Sequence, residues 1–313
     1  MTTVHVVTGA GPVGSTIARQ LADSGQQVRL LTRSGSGPDH PLIDRRRVDV
    51  SRPDALADAF AGATAVHHCI HGSAYDARVW REELPRAEEA VLDAAGRVGA
   101  VVVFPESLYS YGPVAGTMTE DLPRTATTGK LGVRTELLAQ RDASATPTVS
   151  VAASDFYGPA VHNAHAGERM VPTVLAGRTM RVLGSLEQPH SFTYVPDLAA
   201  AMITAAARED LWNSFLHAPT AAPVTQQRLV EMVAAAGGVA VPRTSAIPPW
   251  VLRASGVVSR EMRELAETSY MFTAPFVMDS SASEERLGLS PTPMAEGLAT
   301  TVAWWRAQER AAA

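Results

Sequence analysis

The sequence is poor in several residue types and patterns, and each scarcity narrows what the protein can be. Its single cysteine, Cys69, excludes an internal disulfide and fits a reducing compartment. The longest apolar stretch in the second half, residues 199–207, is too short to span a bilayer. Gly9, Gly11 and Gly14 interrupt the apolar N-terminal segment, which therefore does not resemble a signal peptide. We expect a cytoplasmic protein with no membrane partner.

Charged residues are also few, at 19% of the 313 residues, and the formal net charge is −5. A nucleic-acid-binding protein would be expected to carry a basic stripe, so no nucleic-acid partner is predicted. Lysine is nearly absent, and Lys130 is the only one. Apolar residues, at 46%, suffice for a large core, and the length allows one large domain or two smaller ones.

Apolar segments alternate with helical patterns over the first half of the chain. Strands are predicted at residues 4–8, 28–31, 47–50, 65–70, 99–104 and 149–153. Helices are predicted at residues 13–24, from 53 onward, and at 74–97 and 129–143. This alternation implies right-handed crossovers and a parallel sheet. The predicted fold class is α/β, a Rossmann-type doubly wound parallel sheet.

The alternation loosens after residue 155, where proline and glycine become frequent and helical patterns dominate. Helices are predicted at residues 229–236, 251–258, 261–269 and 294–308. We therefore predict a Rossmann domain at 1–155, to which residues 190–222 return. Residues 156–189 and 223–313 are expected to form a smaller, mainly helical substrate-binding part over the carboxyl edge of the sheet.

The most informative segment joins the first predicted strand to the first predicted helix. It carries Gly9, Gly11 and Gly14 in the spacing G-x-G-x-x-G, with Pro12 and Val13 between the last two. The first glycine permits a tight turn, the second lets the backbone approach a pyrophosphate, and the third lets helix and strand pack closely. The amides of the helix N-terminus then face the phosphates. All five residues are predicted to bind a dinucleotide.

The end of the second predicted strand bears on the choice between NAD and NADP. NAD enzymes usually place an acid there for the ribose hydroxyls, whereas this sequence reads Thr32-Arg33-Ser34. Arg33 can pair with a 2′-phosphate, so NADP(H) is favoured over NAD(H). Asp49 and Val50, at the end of the third predicted strand, suit the adenine edge.

His67, His68, Cys69 and His71 cluster at the end of the fourth predicted strand. These residue types could ligate a metal, but alternation along a strand sends neighbours to opposite faces. We therefore predict no metal site, and a role for Cys69 beside the cofactor. His71 is expected to reach the substrate pocket.

Together, these features resemble the extended short-chain dehydrogenase/reductase family, the group of nucleotide-sugar epimerases and dehydratases. The resemblance covers nearly the whole chain. Its parts are the glycine loop, Asp49-Val50, Ser107-x-x-x-Tyr111-Gly112, Asp155-Phe156-Tyr157-Gly158-Pro159, His190-Ser191-Phe192-Thr193-Tyr194-Val195-Pro196-Asp197 and Leu287-Gly288-Leu289-Ser290-Pro291.

This resemblance implies a nicotinamide dinucleotide cofactor and a small-molecule substrate. It also implies a homodimer formed through the helices at 74–97 and 129–143. The substrate-binding residues expected from it, with His71, are Tyr111, Asp155, Phe156, Tyr157 and His190.

The sequence departs from the family at the working Tyr-x-x-x-Lys pair, in which lysine lowers the tyrosine pKa so that the phenol can exchange a proton with the substrate. None of the six tyrosines has a lysine four residues later. Counting four residues back from Lys130 leads to Ala126. Aligning on Glu136 instead places Thr128 at the tyrosine position and Gly132 at the lysine position. The tyrosine is absent under either alignment.

Three residues could replace the missing pair. Ser107 matches the family's serine and can bind a carbonyl or hydroxyl oxygen. Tyr109 follows it by two residues and could be a displaced acid or an aromatic wall of the pocket. Lys130 could bind the nicotinamide ribose and lower the phenol pKa. These are the predicted catalytic residues, and Lys130 is also a predicted cofactor ligand.

Three functions remain open from the sequence. The first is an NADP(H)-dependent oxidoreductase, a reductase or dehydrogenase acting on a small or medium carbonyl or alcohol. The second is an NAD(P)-dependent epimerase or isomerase of a sugar-like substrate. The third is a non-catalytic NAD(P)-binding sensor, which the missing tyrosine keeps open.

Overall fold

A seven-stranded sheet lies at the centre of the computed structural model, which describes residues 4–255, 257 and 259–312. The strands are β1 (Val4–Thr8), β2 (Gln27–Thr32), β3 (Ile43–Arg47), β4 (Ala63–His68), β5 (Val101–Ser107), β6 (Thr117–Met118), β7 (Thr148–Ala153), β8 (Asp155–Tyr157), β9 (Met180–Leu183), β10 (Pro189–His190), β11 (Phe192–Tyr194), β12 (Ser214–His217), β13 (Val224–Thr225), β14 (Thr244–Ile247) and β15 (Val277–Met278). The α-helices are α1 (Pro12–Asp23), α2 (Pro53–Phe60), α3 (Ala77–Val98), α4 (Gly129–Asp142), α5 (Val171–Leu175), α6 (Val195–Ala206), α7 (Gln226–Gly237), α8 (Pro249–Ser255), α9 (Arg260–Glu267), α10 (Ser281–Leu287) and α11 (Met294–Ala312). None of the helices in the described residues is long and apolar enough to cross a membrane.

The central sheet is parallel throughout, with the strand order β12-β7-β5-β4-β1-β2-β3. The chain leaves β1 toward β2 on one side and later returns to place β4 on the other side, so the order reverses at β1. Ligands of such sheets bind beyond the carboxyl ends of the strands at this reversal. The predicted Rossmann-type α/β fold is confirmed.

Helices cover both faces of the sheet. Val6 and Val7, neighbours on β1, are both fully buried but belong to opposite cores. The core around Val7 contains α1 and α6, and the core around Val6 contains α2 and α3. Burial on both sides explains the continuous apolar runs of the central strands.

The third strand begins earlier in the sequence than predicted. The sequence pattern indicates residues 47–50, whereas the structure pairs Ile43–Arg47 with β2. β3 is the edge strand of the sheet, and among its five residues only Ile43 is buried. An exposed edge strand carries charged side chains and no apolar run, so hydrophobic periodicity could not reveal it.

The later part of the chain contributes to two places. β12 pairs with β7 at the other edge of the sheet, and α6 packs against α1. A separate apolar core joins α5, α7 and α11 through Val174, Leu229 and Leu298. The division into 1–155 with 190–222, and 156–189 with 223–313, stays a prediction.

Two predicted helices lie between β14 and β15. The helix predicted at 251–258 corresponds to α8, and Gly256 and Val258 lie outside the described residues. The helix predicted at 261–269 corresponds to α9, which ends at Glu267.

α3 and α4, the helices expected to pair in a homodimer, pack against each other within the chain. Leu84 of α3 and Leu137 of α4 share a small core. The apolar stripe of α3 is thus used inside the subunit, while its outer face carries Arg81, which is bonded to Glu136 of α4. The homodimer stays a prediction.

Candidate functional site

The glycine loop between β1 and α1 has the geometry that a dinucleotide requires. Gly9 has a φ of +89°, and a Cβ atom there would lie 2.8 Å from the carbonyl oxygen of Cys69. A Cβ atom on Gly14 would overlap the carbonyl oxygen of Gly9, so only glycine lets α1 approach β1 this closely. By contrast, a Cβ atom on Gly11 would meet no heavy atom within 4 Å. The loop therefore offers free space at its middle glycine.

The start of α1 leaves donors for an anion beside that space. No side chain caps the helix, Pro12 is its first residue and Val13 is buried. The free amides of a first helical turn, with the partial positive charge of the helix end, bind phosphate. The uncapped helix, the free space at Gly11 and the close contact of Gly9 with Cys69 together fit a pyrophosphate. These residues would therefore hold a nicotinamide dinucleotide.

Arg33 is exposed directly after β2 and close to two acids. Hydrogen bonds from Ser51 lower the pKa of Asp49, and Arg33 lowers it further. Hydrogen bonds from Ser73 lower the pKa of Glu83, to which Arg33 also contributes. Arg33 thus lies at the end of the strand where the adenosine ribose of a Rossmann cofactor binds.

Val50 and Cys69, which are predicted to line the adenine and ribose side of the cofactor, also lie at the carboxyl edge of the sheet. Val50 is buried in the core under α2. Cys69 follows β4, and its Cβ atom would lie 3.3 Å from a Cβ on Gly14, so it lines the back of the glycine loop. Burial raises the pKa of the Cys69 thiol, which is therefore not a thiolate.

The histidines around β4 do not converge. His67 contacts His5, with Nε2 and Nδ1 3.3 Å apart, and burial lowers its pKa to about 3. His68 is hydrogen-bonded to the hydroxyl of Thr8 at 2.9 Å, and burial lowers its pKa to about 3. His71 lies edge-on to Trp80 instead. The described residues contain no group of three acids, histidines or cysteines that could hold a metal ion.

Ser107 ends β5, and a 3-10 turn at Leu108–Tyr111 begins immediately after it. The Ser107 hydroxyl accepts a hydrogen bond from the backbone N–H of Tyr109 and caps the turn. Its Oγ lies 3.3 Å from a carboxylate oxygen of Glu106. Side chains two residues apart point the same way only on an extended backbone, and the turn removes that geometry from Ser107 and Tyr109.

Tyr109 is hydrogen-bonded to a residue that the sequence did not single out. Its hydroxyl lies 2.9 Å from that of Tyr75, which lies 3.3 Å from the Thr268 hydroxyl. Burial, Tyr75 and Asp155 raise the pKa of Tyr109 well above its ordinary value. Tyr109 is thus a neutral phenol, and the expected lowering of its pKa by Lys130 is not found.

Lys130 is fully buried at the start of α4, and α9 surrounds its ammonium group. The Nζ atom lies 2.7 Å from a carboxylate oxygen of Glu264 and 2.6 Å from one of Glu267. It also donates to the backbone carbonyl of Glu264 at 2.8 Å, so all three of its protons are used. Its aromatic neighbour is Tyr75, whose ring centroid is 4.6 Å away.

Asp155 and His190 lie together, although 35 residues separate them. The Oδ2 atom of Asp155 is 2.6 Å from Nε2 of His190, and Nδ1 of His190 is 3.0 Å from the carbonyl oxygen of Met271. Asp155 is the first residue of β8, and His190 ends β10, two residues before β11, the strand that pairs with β8. This proximity brings two predicted substrate-binding residues into one cluster.

The remaining predicted substrate residues have other surroundings. Tyr111 is buried, and its hydroxyl contacts the carbonyl oxygen of Thr119 at 2.8 Å and Nε2 of His217 at 2.9 Å. Tyr157 is buried in the core of α5, α7 and α11. Phe156 is half-buried against the core of α1 and α6. Among these three, none contacts Asp155 or His190 in the described hydrogen bonds and ring contacts.

A buried network of arginines and glutamates lies next to the site, and the sequence alone did not predict it. Arg141 donates to both carboxylate oxygens of Glu88, at 2.6 and 2.8 Å, and to Glu106 at 2.8 Å. Arg134 lies 3.5 Å from Glu106. The available signal is Glu106, an acid inside an otherwise apolar strand, whereas its buried partner Glu88 lies among the many charged residues of α3.

We name the hydroxyl cluster as Tyr75, Tyr109, Tyr270 and Asp155 with His190. Burial raises the pKa of all three phenols, and Asp155 contributes to each shift. The Tyr270 hydroxyl is buried without a hydrogen-bond partner among the described residues. The cluster therefore combines neutral hydroxyl donors with one carboxyl group.

Solved structures similar to this chain share its fold. MoeE5 in complex with UDP-glucose and NAD is 24% identical, with a TM-score of 0.74, and the match covers 97% of this chain and 99% of that one. The UDP-glucose 4-epimerase of Thermus thermophilus in complex with NAD is 20% identical, with a TM-score of 0.75 and coverage of 97% and 99%. The protein gox2253 is 22% identical, with a TM-score of 0.79 and coverage of 98% and 99%. No curated protein matches the chain.

The sequence profile of the NAD dependent epimerase/dehydratase family matches residues 5–213. This stretch contains the glycine loop, the Ser107 turn, Lys130, Asp155 and His190. It confirms the resemblance inferred from the motifs. The chain belongs to the NAD dependent epimerase/dehydratase family.

Proposed function

We propose that the protein is an NADP(H)-dependent oxidoreductase acting on a carbonyl or alcohol group of a small or medium, hydroxylated metabolite. The observation that carries this proposal is the hydrogen bond between Tyr75, which precedes α3, and Tyr109, which directly follows β5. β5 neighbours β4, which neighbours the β1 of the glycine loop. Hydroxyl groups are thus available at the edge where the nicotinamide of a Rossmann cofactor reaches.

The preference for NADP(H) rests on Arg33. A guanidinium recognises a phosphate by charge-assisted hydrogen bonds, and the usual acid for the ribose hydroxyls is missing at this place. Two of the similar structures are complexes with NAD, so a nicotinamide dinucleotide is the shared expectation. The expected preference for a 2′-phosphate comes from Arg33 of this chain and not from the similar structures.

When bound, the nicotinamide ring would supply the hydride or take it up. The chain's residues then have to hold the substrate oxygen and handle its proton. We assign the first task to the hydroxyl of Tyr109, in the turn that follows β5. Lys130, held by Glu264 and Glu267, joins α4 to α9.

A panel of aldehydes, ketones and hydroxylated carbonyl compounds tests the proposal with the purified protein. We expect at least one compound to cause net consumption of NADPH, followed by its absorbance, and the matching alcohol to reduce NADP⁺. Gly11→Val, which blocks the nucleotide space, is the control for contaminating reductases. A panel that gives no NADPH consumption above this control would refute the oxidoreductase.

Epimerisation of a sugar-like substrate is the second candidate. The family match and the similarity to a UDP-glucose 4-epimerase favour it. An epimerase returns the hydride to its own substrate, so it would invert a carbinol centre with no net change in NADPH and would retain nucleotide through purification. Tight nucleotide binding without turnover of any carbonyl or sugar nucleotide would instead support a sensor.

A further inference from the structure

The hydrogen bonds of Asp155 and His190 determine how many protons this pair holds. Nδ1 of His190 faces the carbonyl oxygen of Met271, which can only accept, so Nδ1 carries a proton. Nε2 lies 2.6 Å from Oδ2 of Asp155, and a contact this short also needs a proton, because two lone pairs would repel. The pair thus holds one further proton, as an imidazolium beside a carboxylate or an imidazole beside a carboxylic acid.

The two members of the pair differ in mobility and access. The ring of His190 is stacked on Phe272, with centroids 4.9 Å apart and planes within 2°, and it also contacts Phe192 and Phe276. Its side chain is only 2% exposed, whereas that of Asp155 is 20% exposed. His190 is therefore fixed in place, and Asp155 is the member that a ligand can reach.

The accessible carboxyl group of Asp155 lies close enough to the three phenols of the hydroxyl cluster to contribute to the rise in their pKa values. Four segments place titratable or charged groups around the pair: Tyr75 before α3, Tyr109 after β5, Tyr270 after α9, and His165 with Arg169 between β8 and α5. Burial lowers the pKa of His165 to about 4, so it stays neutral. Asp155 is thus a partly exposed carboxyl group among neutral phenols and a neutral imidazole.

Reduction of a carbonyl needs a proton. The phenol of Tyr109 has a raised pKa, and the only lysine is bound by Glu264 and Glu267. We propose that Asp155 donates the proton to the substrate's carbonyl oxygen, and that His190 is the positioning residue that holds this proton. The proposal rests on the oxidoreductase function proposed above.

The step balances in atoms and charge. A hydride adds to the carbonyl carbon, the electron pair of the C=O bond moves to the oxygen, and the O–H bond forms with the proton of the pair. The pair is left as an imidazole beside a carboxylate, whose facing lone pairs repel, and it takes a proton from solvent before the next turnover. Alcohol oxidation runs the same step in reverse, with Asp155 as the base.

Two variants and a control test this assignment on the full-length protein. Asp155→Asn removes the acid at constant shape, and Asp155→Glu keeps a carboxyl group. Asp58→Asn, on the exposed surface of α2, is the matched control. The readouts are kcat with the carbonyl substrate found in the panel, its pH profile, NADPH affinity and the far-downfield NMR signal of the proton between Nε2 and Oδ2.

We expect Asp155→Asn to lower kcat by about 10²–10⁴, the range for loss of a general acid, with unchanged NADPH affinity. The decline of reductase activity with rising pH should disappear, the downfield signal should be lost, and Asp155→Glu should recover part of the activity. Turnover of Asp155→Asn within about threefold of the unmodified protein, or no downfield signal in that protein, would overturn the assignment. Absence of turnover in the unmodified protein would refute the oxidoreductase itself. If Asp155→Asn does not fold, the NMR signal of the unmodified protein and the activity of Asp155→Glu decide.

Discussion

At the carboxyl edge of the sheet, six consecutive residues from Gly9 to Gly14 form the glycine loop, whereas five distant segments assemble the hydroxyl cluster. The loop works through backbone and empty space, since Gly11 has no heavy atom near its Cβ position. The cluster works through side chains that hold one another, such as Tyr75 with Tyr109 and Asp155 with His190. The glycine loop depends on side chains that are absent. The hydroxyl cluster depends on contacts between residues more than 30 positions apart in the sequence.

This difference predicts how each region responds to substitution. A side chain added at Gly11 fills space that only a ligand uses, so binding fails while the fold persists. A side chain removed from the cluster, or from the ions beneath it, leaves partners that can still interact. Effects there should be graded and should depend on how deeply the lost partner is buried.

The largest effect is expected for Gly11→Val, which should abolish nucleotide binding. Its φ is ordinary and its Cβ position is open, so the added side chain occupies the pyrophosphate space without strain. Calorimetric titration with NADPH measures the loss, and thermal unfolding measures the fold. Unchanged NADPH affinity would mean that the nucleotide binds elsewhere.

Gly14→Ala is the matched substitution three residues away. Here the new Cβ would overlap the carbonyl oxygen of Gly9, so the helix has to move away from β1. We expect a lower unfolding temperature than for Gly11→Val. A lower unfolding temperature for Gly11→Val than for Gly14→Ala would contradict the conclusion that only the position of Gly11 has free space.

The next effect concerns the ions beneath the cluster. Arg141→Met should lower the free energy of unfolding by about 3–5 kcal/mol, because it strands the buried carboxylates of Glu88 and Glu106. Urea unfolding measures this loss. Arg81→Met, which removes the exposed partner of Glu136, should cost less than about 1 kcal/mol. Equal losses for the two variants would show that burial does not control the network.

Acid should weaken the same network. Burial alone would raise the pKa of Glu106, but Arg134 and Arg141 lower it below the ordinary value. A carboxyl group with a lowered folded-state pKa stabilises the fold above its unfolded pKa, and this contribution is lost as pH falls through the folded value. Stability should therefore fall less steeply with acid in Glu106→Gln than in the unmodified protein.

Tyr109→Phe should lower kcat by about 10²–10³, the scale for losing one hydrogen-bond donor to a developing oxyanion. The affinity for NADPH should stay the same, since the phenol contacts Tyr75 and not the glycine loop. Tyr157→Phe, in the core of α5, α7 and α11, is the control and should keep its activity. Full activity of Tyr109→Phe would remove this phenol from the substrate site.

The smallest effect is expected for Arg33→Ala, which should weaken NADPH binding by about 1–3 kcal/mol and leave NADH binding unchanged. The reason is that only NADPH carries the 2′-phosphate. Calorimetry with both nucleotides gives the difference. Arg52→Ala, another exposed arginine near Asp49, serves as the control. Equal weakening of both nucleotides would show that Arg33 acts on some other part of the cofactor.

The sequence was sufficient for the regions in which structure is local. The glycine loop could be predicted because its three glycines, the strand before and the helix after are adjacent in the chain. The α/β class followed from the same kind of local periodicity. β3 could not be placed, since an exposed edge strand with three consecutive arginines carries no apolar signal.

The candidate site was less predictable because its contacts are distant in sequence. Lys130 finds its partners on α9, more than 130 residues later, which spacing along α4 cannot indicate. Tyr75 was unremarkable in the sequence and became part of the site only through Tyr109. Asp155 and His190 were both expected near the substrate, but no sequence rule indicated that they share a proton.

Hydride transfer is the central claim, and deuterium transfer from NADPH labelled at the reactive position of its nicotinamide tests it most directly. The purified protein is incubated with the labelled NADPH and the carbonyl panel, and the products are examined by mass spectrometry. The account predicts one deuterium on the carbinol carbon of an alcohol product, formed in proportion to the NADPH consumed and absent with Gly11→Val. Product without label, or label that appears equally with Gly11→Val, would contradict it.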